Sequence, residues 1–297
     1  MAHGTRGFPL IDAGKPGQMK ISLIVATVGR TSELERLLSS LQRQSYRNFE
    51  TIVVDQNLDD RVERVIRSQR DELEVHHLHS EPGLSKARNL GLQSARGEIL
   101  GFPDDDGWYP ADLLLRVASF FQRNPTIGGV SGRSVDGSGH DSSRFDHRSG
   151  WMNRFNVWTR SNSNTIFLRQ EVTRLVGPFD ERLGVGAQTP YGSGEETDYL
   201  LRALAQGHRL FYDSSLVVNH AQLIRFIDAR ECARGRSYAR GTGYVLRRHG
   251  YPAWFPLYQI TRSLGGAVLS VMRLDFARAR FRLNILIGRA WGWIAND

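Results

Sequence analysis

Apolar positions in the first part of the chain fall into short continuous runs that alternate with stretches of helical spacing. Ile21, Leu23, Ile24 and Val25, within Met19 to Val28, predict a strand covered on both sheet faces, since a half-solvated strand would alternate. Leu34, Leu37, Leu38 and Leu41 recur at helical spacing, and Ser32 with Glu35 supplies a capping box. Phe49 to Asp55 predicts a second buried strand, and Val62, Val65 and Ile66 a second helix. A short third strand is expected at Val75 to Leu78, a helix at Ser85 to Ala95 after Pro82-Gly83, and a fourth strand at Glu98 to Phe102. Pro110 opens the next helix, whose stripe is Leu113, Leu114, Val117, Phe120 and Phe121. The alternation predicts an α/β fold with a doubly wound, Rossmann-like sheet, in which ligands gather at the carboxyl ends of the strands.

From Gly128 to Ser163 the periodicity is lost among Gly, Ser, Asp and Arg, which predicts a long functional loop region. Order returns with a strand at Thr165 to Leu168, a helix from about Glu195 to Gly207, and the apolar stretch Leu216 to Val218 before His220. The division expected is a loose tail over 1–18, a catalytic domain over 19–220 and a basic helical segment over 221–297. Within the catalytic domain, 19–127 is expected to hold the nucleotide-binding half and 128–220 the acceptor side.

Charge sets the last segment apart. The chain carries a net +8, yet residues 221–297 hold 13 Arg against 4 acids, which leaves 26 basic and 27 acidic residues before them. These arginines interleave with Phe, Leu, Ile and Trp, so an anionic membrane surface is the expected partner and no nucleic acid is. Trp254 to Met272 approaches the roughly 20 residues of a membrane span, but Arg262 and Gly265-Gly266 interrupt it, and interfacial helices are expected instead. The single cysteine, Cys232, excludes a disulfide framework or a cysteine zinc cluster. The first 18 residues contain no apolar run of signal-peptide length. A cytoplasmic protein, peripheral on the inner face of the membrane, is expected.

The candidate chemistry lies at the strand ends. Asp104, Asp105 and Asp106 follow Phe102-Pro103, and residues two apart in extended chain share a side, so Asp104 and Asp106 can converge on one Mn²⁺ or Mg²⁺ ion. His220 is a candidate third ligand. Lys86 and Arg88, with Asn89, stand near a helix start where a diphosphate would be favoured. Glu195 and Glu196 follow Gly192-Ser193-Gly194 at another helix start, and either could act as general base toward a hydroxyl. Neither a Walker-type phosphate loop nor a Gly-x-Ser-x-Gly elbow is present.

Taken in order, these stretches resemble glycosyltransferase family 2 enzymes of the GT-A fold over Met19 to His220. The likeness rests on Ile21 to Thr27, Gln44 to Glu50 leading to Val54-Asp55, Ala87-Arg88-Asn89, Gly97-Glu98 before Asp104-Asp105-Asp106, and Gly194-Glu195-Glu196. The resemblance implies a nucleoside-diphosphate sugar donor and a lipid-linked or polysaccharide acceptor. It also implies that Thr27, Arg30, Asp55 and Asn57 hold the nucleotide, that Asp104 and Asp105 lie near the ribose or metal, and that Asp106 and His220 bind the metal. Glu196 aligns with the base of inverting members. The sequence departs from the family pattern in two places: Asp55-Gln56-Asn57 replaces a more usual Asp-Asp-Gly, and position 196 carries Glu for Asp. Three other readings are weighed. Asp104-x-Asp106-Gly107 resembles a haloacid-dehalogenase phosphatase core, although Trp108 stands where Thr or Ser is wanted. A nucleotidyltransferase would need a glycine-rich basic signature that the first strand end lacks, and a non-catalytic scaffold would bind nucleotide-sugar without turnover.

Overall fold

The computed structural model describes residues 19–69, 72–221 and 226–295; the expected tail over 1–18 lies outside them. Strands β1 (Ile21–Thr27), β2 (Phe49–Asp55), β3 (Val75–His79) and β4 (Ile99–Gly101) pair in parallel in the order β3-β2-β1-β4. Helices α1 (Ser32–Gln42), α2 (Arg61–Arg67) and α3 (Leu84–Ser94) connect them. β1 is buried on both faces: Leu23 and Val25 join α1, α2 and α4 (Leu113–Arg123) in one core, while Ile24 faces α3 and the later helices in another. That two-sided burial is why its sequence runs apolar without a break.

β5 (Gly107–Trp108) is a short strand at the far edge of the sheet, antiparallel to β9 (Leu210–His220). Beyond β4 the sheet becomes mixed. β8 (Phe167–Arg169) pairs antiparallel with both β4 and β6 (Gly129–Val135), and β6 runs parallel to β9. β6 corrects the expectation of a long loop over 128–163, as does β7 (Gly150–Trp151), which also pairs with β9. Close approach explains the missing signal: a Cβ at Gly129 would lie 2.4 Å from the Leu168 side chain, and one at Gly132 would lie 1.9 Å from the Leu216 carbonyl oxygen. Only small residues fit there, so the strand shows no hydrophobic period. The capping box expected at Ser32 is absent as well. Ser32 is the first residue of α1 and its hydroxyl bonds Glu33, while Thr31 precedes the helix without a side-chain cap.

α5 (Gln170–Val176) and α6 (Glu195–Ala205) complete the face that carries α3. Three longer helices follow β9: α7 (Ala229–Arg248), α8 (Trp254–Met272) and α9 (Phe276–Ile294). Asp228 and Asp275 cap α7 and α9 through the Glu231 and Arg278 amides. α7 and α9 run together with their backbones nearly touching, since a Cβ at Gly292 would lie 2.1 Å from the Arg240 carbonyl oxygen. α8 is partly inverted relative to an ordinary surface helix. Beside Phe255, Pro256 and Ala267 it buries Gln259 and Ser270, and it exposes Leu257, Leu264, Val268, Val271 and Met272. Among the described residues, no helix is long and apolar enough to cross a membrane.

Candidate active site

Strand register assembles the site. Thr27 and Asp55 are direct partners at the ends of β1 and β2, so the polar residues that follow both strands emerge side by side. β4 stops lower, at Gly101 beside Leu23, and residues 102–106 climb back to the level of Thr27. At the other end of this turn, Gly107 pairs with His220 at the end of β9. The acidic turn is thereby held between two strand ends that are distant in sequence.

Within the turn the three aspartates separate. Asp105 turns inward, accepts a bond from the Thr27 hydroxyl at 2.7 Å and pairs with Arg30. Asp104 and Asp106 converge with His220, while Arg30 reaches both Asp105 and Asp106; the chain there is a turn and no longer a strand. Asp106 meets His220 Nε2 at 2.9 Å and Arg30 at 2.9 Å. Asp104 accepts from the Ser163 hydroxyl at 3.1 Å and pairs with Arg88 at 3.3 Å. Burial raises the pKa of Asp104 and Asp105 in spite of their arginines. For Asp106 burial also pushes upward, but the His220 bond and Arg30 outweigh it and hold the carboxyl below its usual range. The same bond raises His220.

Asp104, Asp106 and His220 each offer a ligand atom, and all three atoms lie within 4.8 Å of one another. Two carboxylate oxygens and an imidazole nitrogen make a donor set that suits Mn²⁺, with Mg²⁺ less favoured by the nitrogen. Two further groups among the described residues meet the same spacing. In Glu50-Glu74-His76, Lys20 stands 3.0 Å from each glutamate and already compensates their charge. In Asp55-His77-His79, Asp55 receives His77 Nε2 at 3.2 Å on one oxygen and the Asn57 amides on the other.

Asn57 links two loops, because its side-chain oxygen also accepts the Gly29 amide at 2.8 Å. Thr27, Arg30, Asp55 and Asn57 therefore form one bonded neighbourhood. Lys86 stands apart from it, with its ammonium 3.0 Å from Glu81 on the exposed side of α3. Arg88, two residues further along α3, is 2% exposed and joins Asp104 to Glu195, which it meets at 3.0 Å. Glu195 is thus committed to an ion pair. Glu196 has no such pair. Burial, followed by the neighbouring Glu195 charge, pushes its carboxyl up to about 8, and it lines a small cavity with Arg88, Ser163, Phe179 and Tyr199. Gly194 opens α6 in the left-handed region, at φ 98°, a conformation that favours glycine.

The profile of Glycosyl transferase family 2 matches residues 22–170, half of the chain. The chain belongs to glycosyl transferase family 2. An uncharacterized glycosyltransferase of Haemophilus influenzae is 34% identical over 109 residues, 36% of either chain. A GalNAc(5)-diNAcBac-PP-undecaprenol beta-1,3-glucosyltransferase of Campylobacter jejuni is 34% identical over 91 residues, 29% of either chain. The chain thus aligns with about a third of the length of these relatives. Among solved structures, the mannosyltransferase PcManGT of Pyrobaculum calidifontis, in complex with GDP-Man and Mn²⁺, superposes with a TM-score of 0.66 at 17% identity. That match covers 94% of this chain and 89% of the other, and it supports the GT-A fold that the sequence resemblance implied.

Membership in glycosyl transferase family 2 removes the phosphatase and nucleotidyltransferase readings of Asp104-x-Asp106. The family match ends before Glu195 and His220, so those residues join the site on geometry alone. Sequence reasoning missed Ser163 and His77. Ser163 closes an aperiodic stretch and carries no signal, whereas His77 and His79, two apart on β3, share one face of a predicted strand and could have been read.

Proposed function

We propose that the protein transfers a sugar, with inversion, from a nucleoside-diphosphate sugar to a hydroxyl of a lipid-linked or polysaccharide acceptor. The observation that carries this reading is the division of labour around Arg88. On one side lie Asp104, Asp106 and His220, a donor set for a divalent ion. On the other, Glu195 neutralises Arg88 and leaves Glu196 unpaired, with its carboxyl raised to about 8. A carboxylate of that basicity is matched to proton abstraction near neutral pH.

In this reading Thr27, Arg30, Asp55 and Asn57 border the nucleotide, while Asp105 fixes Thr27 and Arg30 in place. Asp104, Asp106 and His220 would hold Mn²⁺ or Mg²⁺, which supplies charge neutralisation for the leaving diphosphate. Glu196, which lines the small cavity beside Arg88, accepts the proton of the acceptor hydroxyl on a carboxylate oxygen. Support for a nucleotide-sugar donor comes from the GDP-Man complex of the similar mannosyltransferase, and support for a lipid-linked acceptor from the undecaprenol-linked name of the Campylobacter relative.

The acceptor reading agrees with the inverted face of α8. Leu257, Leu264, Val268 and Met272 are exposed there, with Arg262 on α8, Arg273 just after it, and Arg278 and Arg280 at the start of α9. Apolar exposure with a cationic rim suits the interface of an anionic bilayer. We therefore read 221–297 as a peripheral seat on the inner membrane face. A thermal-shift screen of UDP-, GDP- and dTDP-sugars with and without Mn²⁺ tests the donor site. One of the three is expected to raise the melting temperature only when Mn²⁺ is present; no shift with any of them would reject the reading.

A further inference from the structure

The turn that carries Glu195 and Glu196 is not held by the catalytic sheet alone. Its other side rests on α7, where the backbones approach closely at Gly241 and the Gly192 and Gly194 backbone meets the Ser237 and Val245 side chains. A Cβ at Gly241 would lie 2.0 Å from the Ser193 carbonyl oxygen, and one at Gly192 would lie 2.6 Å from the Ser237 hydroxyl. At Gly194 a Cβ would come within 3.0 Å of Val245. Hydrogen bonds fix the same surfaces: the Gly192 amide donates to the Ser237 carbonyl at 3.2 Å, and the Ser193 hydroxyl to the Tyr238 carbonyl at 2.9 Å.

A second attachment lies one helical turn further along α6. Asp198 is fully buried and meets Arg248 at 3.1 Å, at the end of α7, and His249 at 2.9 Å, immediately after it. Arg202 completes its environment at 2.9 Å. A buried carboxylate held by two guanidinium groups and an imidazole keeps its position firmly, since loss of either arginine leaves charge uncompensated. The start of α6 is therefore gripped twice, at Gly192–Gly194 just before it and at Asp198 in its first turn, by α7 and the residue that follows it.

We propose that α7 is the positioning element of the catalytic turn: its backbone, bared at Gly241, together with the Asp198 contact, sets where the Glu196 carboxyl stands. This rests on Glu196 as the base. Among the described residues no hydrogen bond or ion pair joins α7 to Asp104, Asp106 or His220, which reach this turn only through the Glu195–Arg88–Asp104 link, so its effect should fall more heavily on turnover than on donor and metal binding. It also makes the basic helical segment part of the catalytic unit, since α9 packs along α7 through Gly288 and Gly292.

The test compares the full-length protein with Gly241→Val, which wedges α7 away from Ser193, and with Gly265→Ala, a helical glycine with open space around it. Three quantities are read: amide hydrogen exchange of 191–199, Mn²⁺ affinity, and steady-state turnover of the donor selected by the thermal-shift screen. Gly241→Val is expected to speed exchange in 191–199 at least about tenfold and to lower kcat at least about tenfold, with donor KM and Mn²⁺ affinity changing by at most about threefold through the Glu195–Arg88 link. Gly265→Ala should match the wild type in all three. Should Gly241→Val fail to fold, Gly241→Ala and His249→Gln break the two attachments more gently and are expected to move kcat in the same direction. Faster exchange with unchanged kcat would overturn the proposal, as would equal losses in kcat, KM and Mn²⁺ affinity. If the wild type turns over no nucleotide-sugar, the functional reading fails, while unchanged exchange in Gly241→Val would overturn the clamp independently.

Discussion

Arg88 and Glu195 meet 3.0 Å apart although 107 positions separate them in sequence, and Arg88 reaches Asp104 from the same buried position. The pair ties the strand-end aspartates to the helix that carries Glu196. Replacing Arg88 by Met would strand two carboxylates in a poorly solvated interior. Loss of one member of a buried pair costs about 3–5 kcal/mol, so the midpoint of chemical denaturation should fall by the equivalent amount. A change below about 1 kcal/mol would mean that solvent reaches the pair.

With Glu196 as the proposed base, the activity should depend on pH in a defined direction. Its carboxyl is raised to about 8 by burial and by Glu195, so it is neutral below that pH and becomes a base above it. The pH profile of kcat/KM should rise about tenfold per unit up to about pH 8 and then level. In the ionised form the folded state carries the cost of the raised pKa. The stability contribution of this group is therefore greatest below the ordinary carboxylate pKa and is lost as pH rises toward 8. Glu196→Gln should remove that slope, and an unchanged slope would assign it to another group.

The inverted face of α8 predicts binding to vesicles that contain phosphatidylglycerol. Leu257→Glu combined with Val268→Glu should weaken co-sedimentation at least about tenfold, and high salt should weaken the wild type as the arginines are screened. Equal binding to neutral and anionic vesicles would deny the arginines a part.

At Gly132 even one carbon has no room, because a Cβ would fall 1.9 Å from the Leu216 carbonyl oxygen. Gly132→Ala should destabilise the protein by about 1–3 kcal/mol, the range of overpacked interiors. A thermal melt that does not move would show that β6 and β9 can slide apart without cost.

Much of this was legible in the sequence where burial writes a simple pattern. β1 and β2 are covered on both faces and read as unbroken apolar runs, and α8 begins and ends where its hydropathy does. β6 was illegible because its contacts demand glycine and serine, which leave no period. The convergence of Asp104 and Asp106 is what alternation expects, but the contacts of Asp105 with Thr27 and the Arg30 guanidinium that it shares with Asp106 needed the third dimension. The choice between Glu195 and Glu196 is of the same kind: adjacent residues look alike in sequence, and only the position of Arg88 distinguishes them. The inverted face of α8 also escaped notice, since composition says that a helix is apolar and basic without saying which side meets the protein.

The most direct test of sugar transfer at this site measures nucleoside diphosphate release and donor binding together in wild type, Asp106→Asn and Glu196→Gln. With Mn²⁺ and the donor found by screening, the wild type should release the diphosphate. Glu196→Gln should bind the donor normally yet lose at least about 10²-fold in turnover, and Asp106→Asn should lose metal-dependent binding as well. Turnover by Glu196→Gln at the wild-type rate would contradict the account.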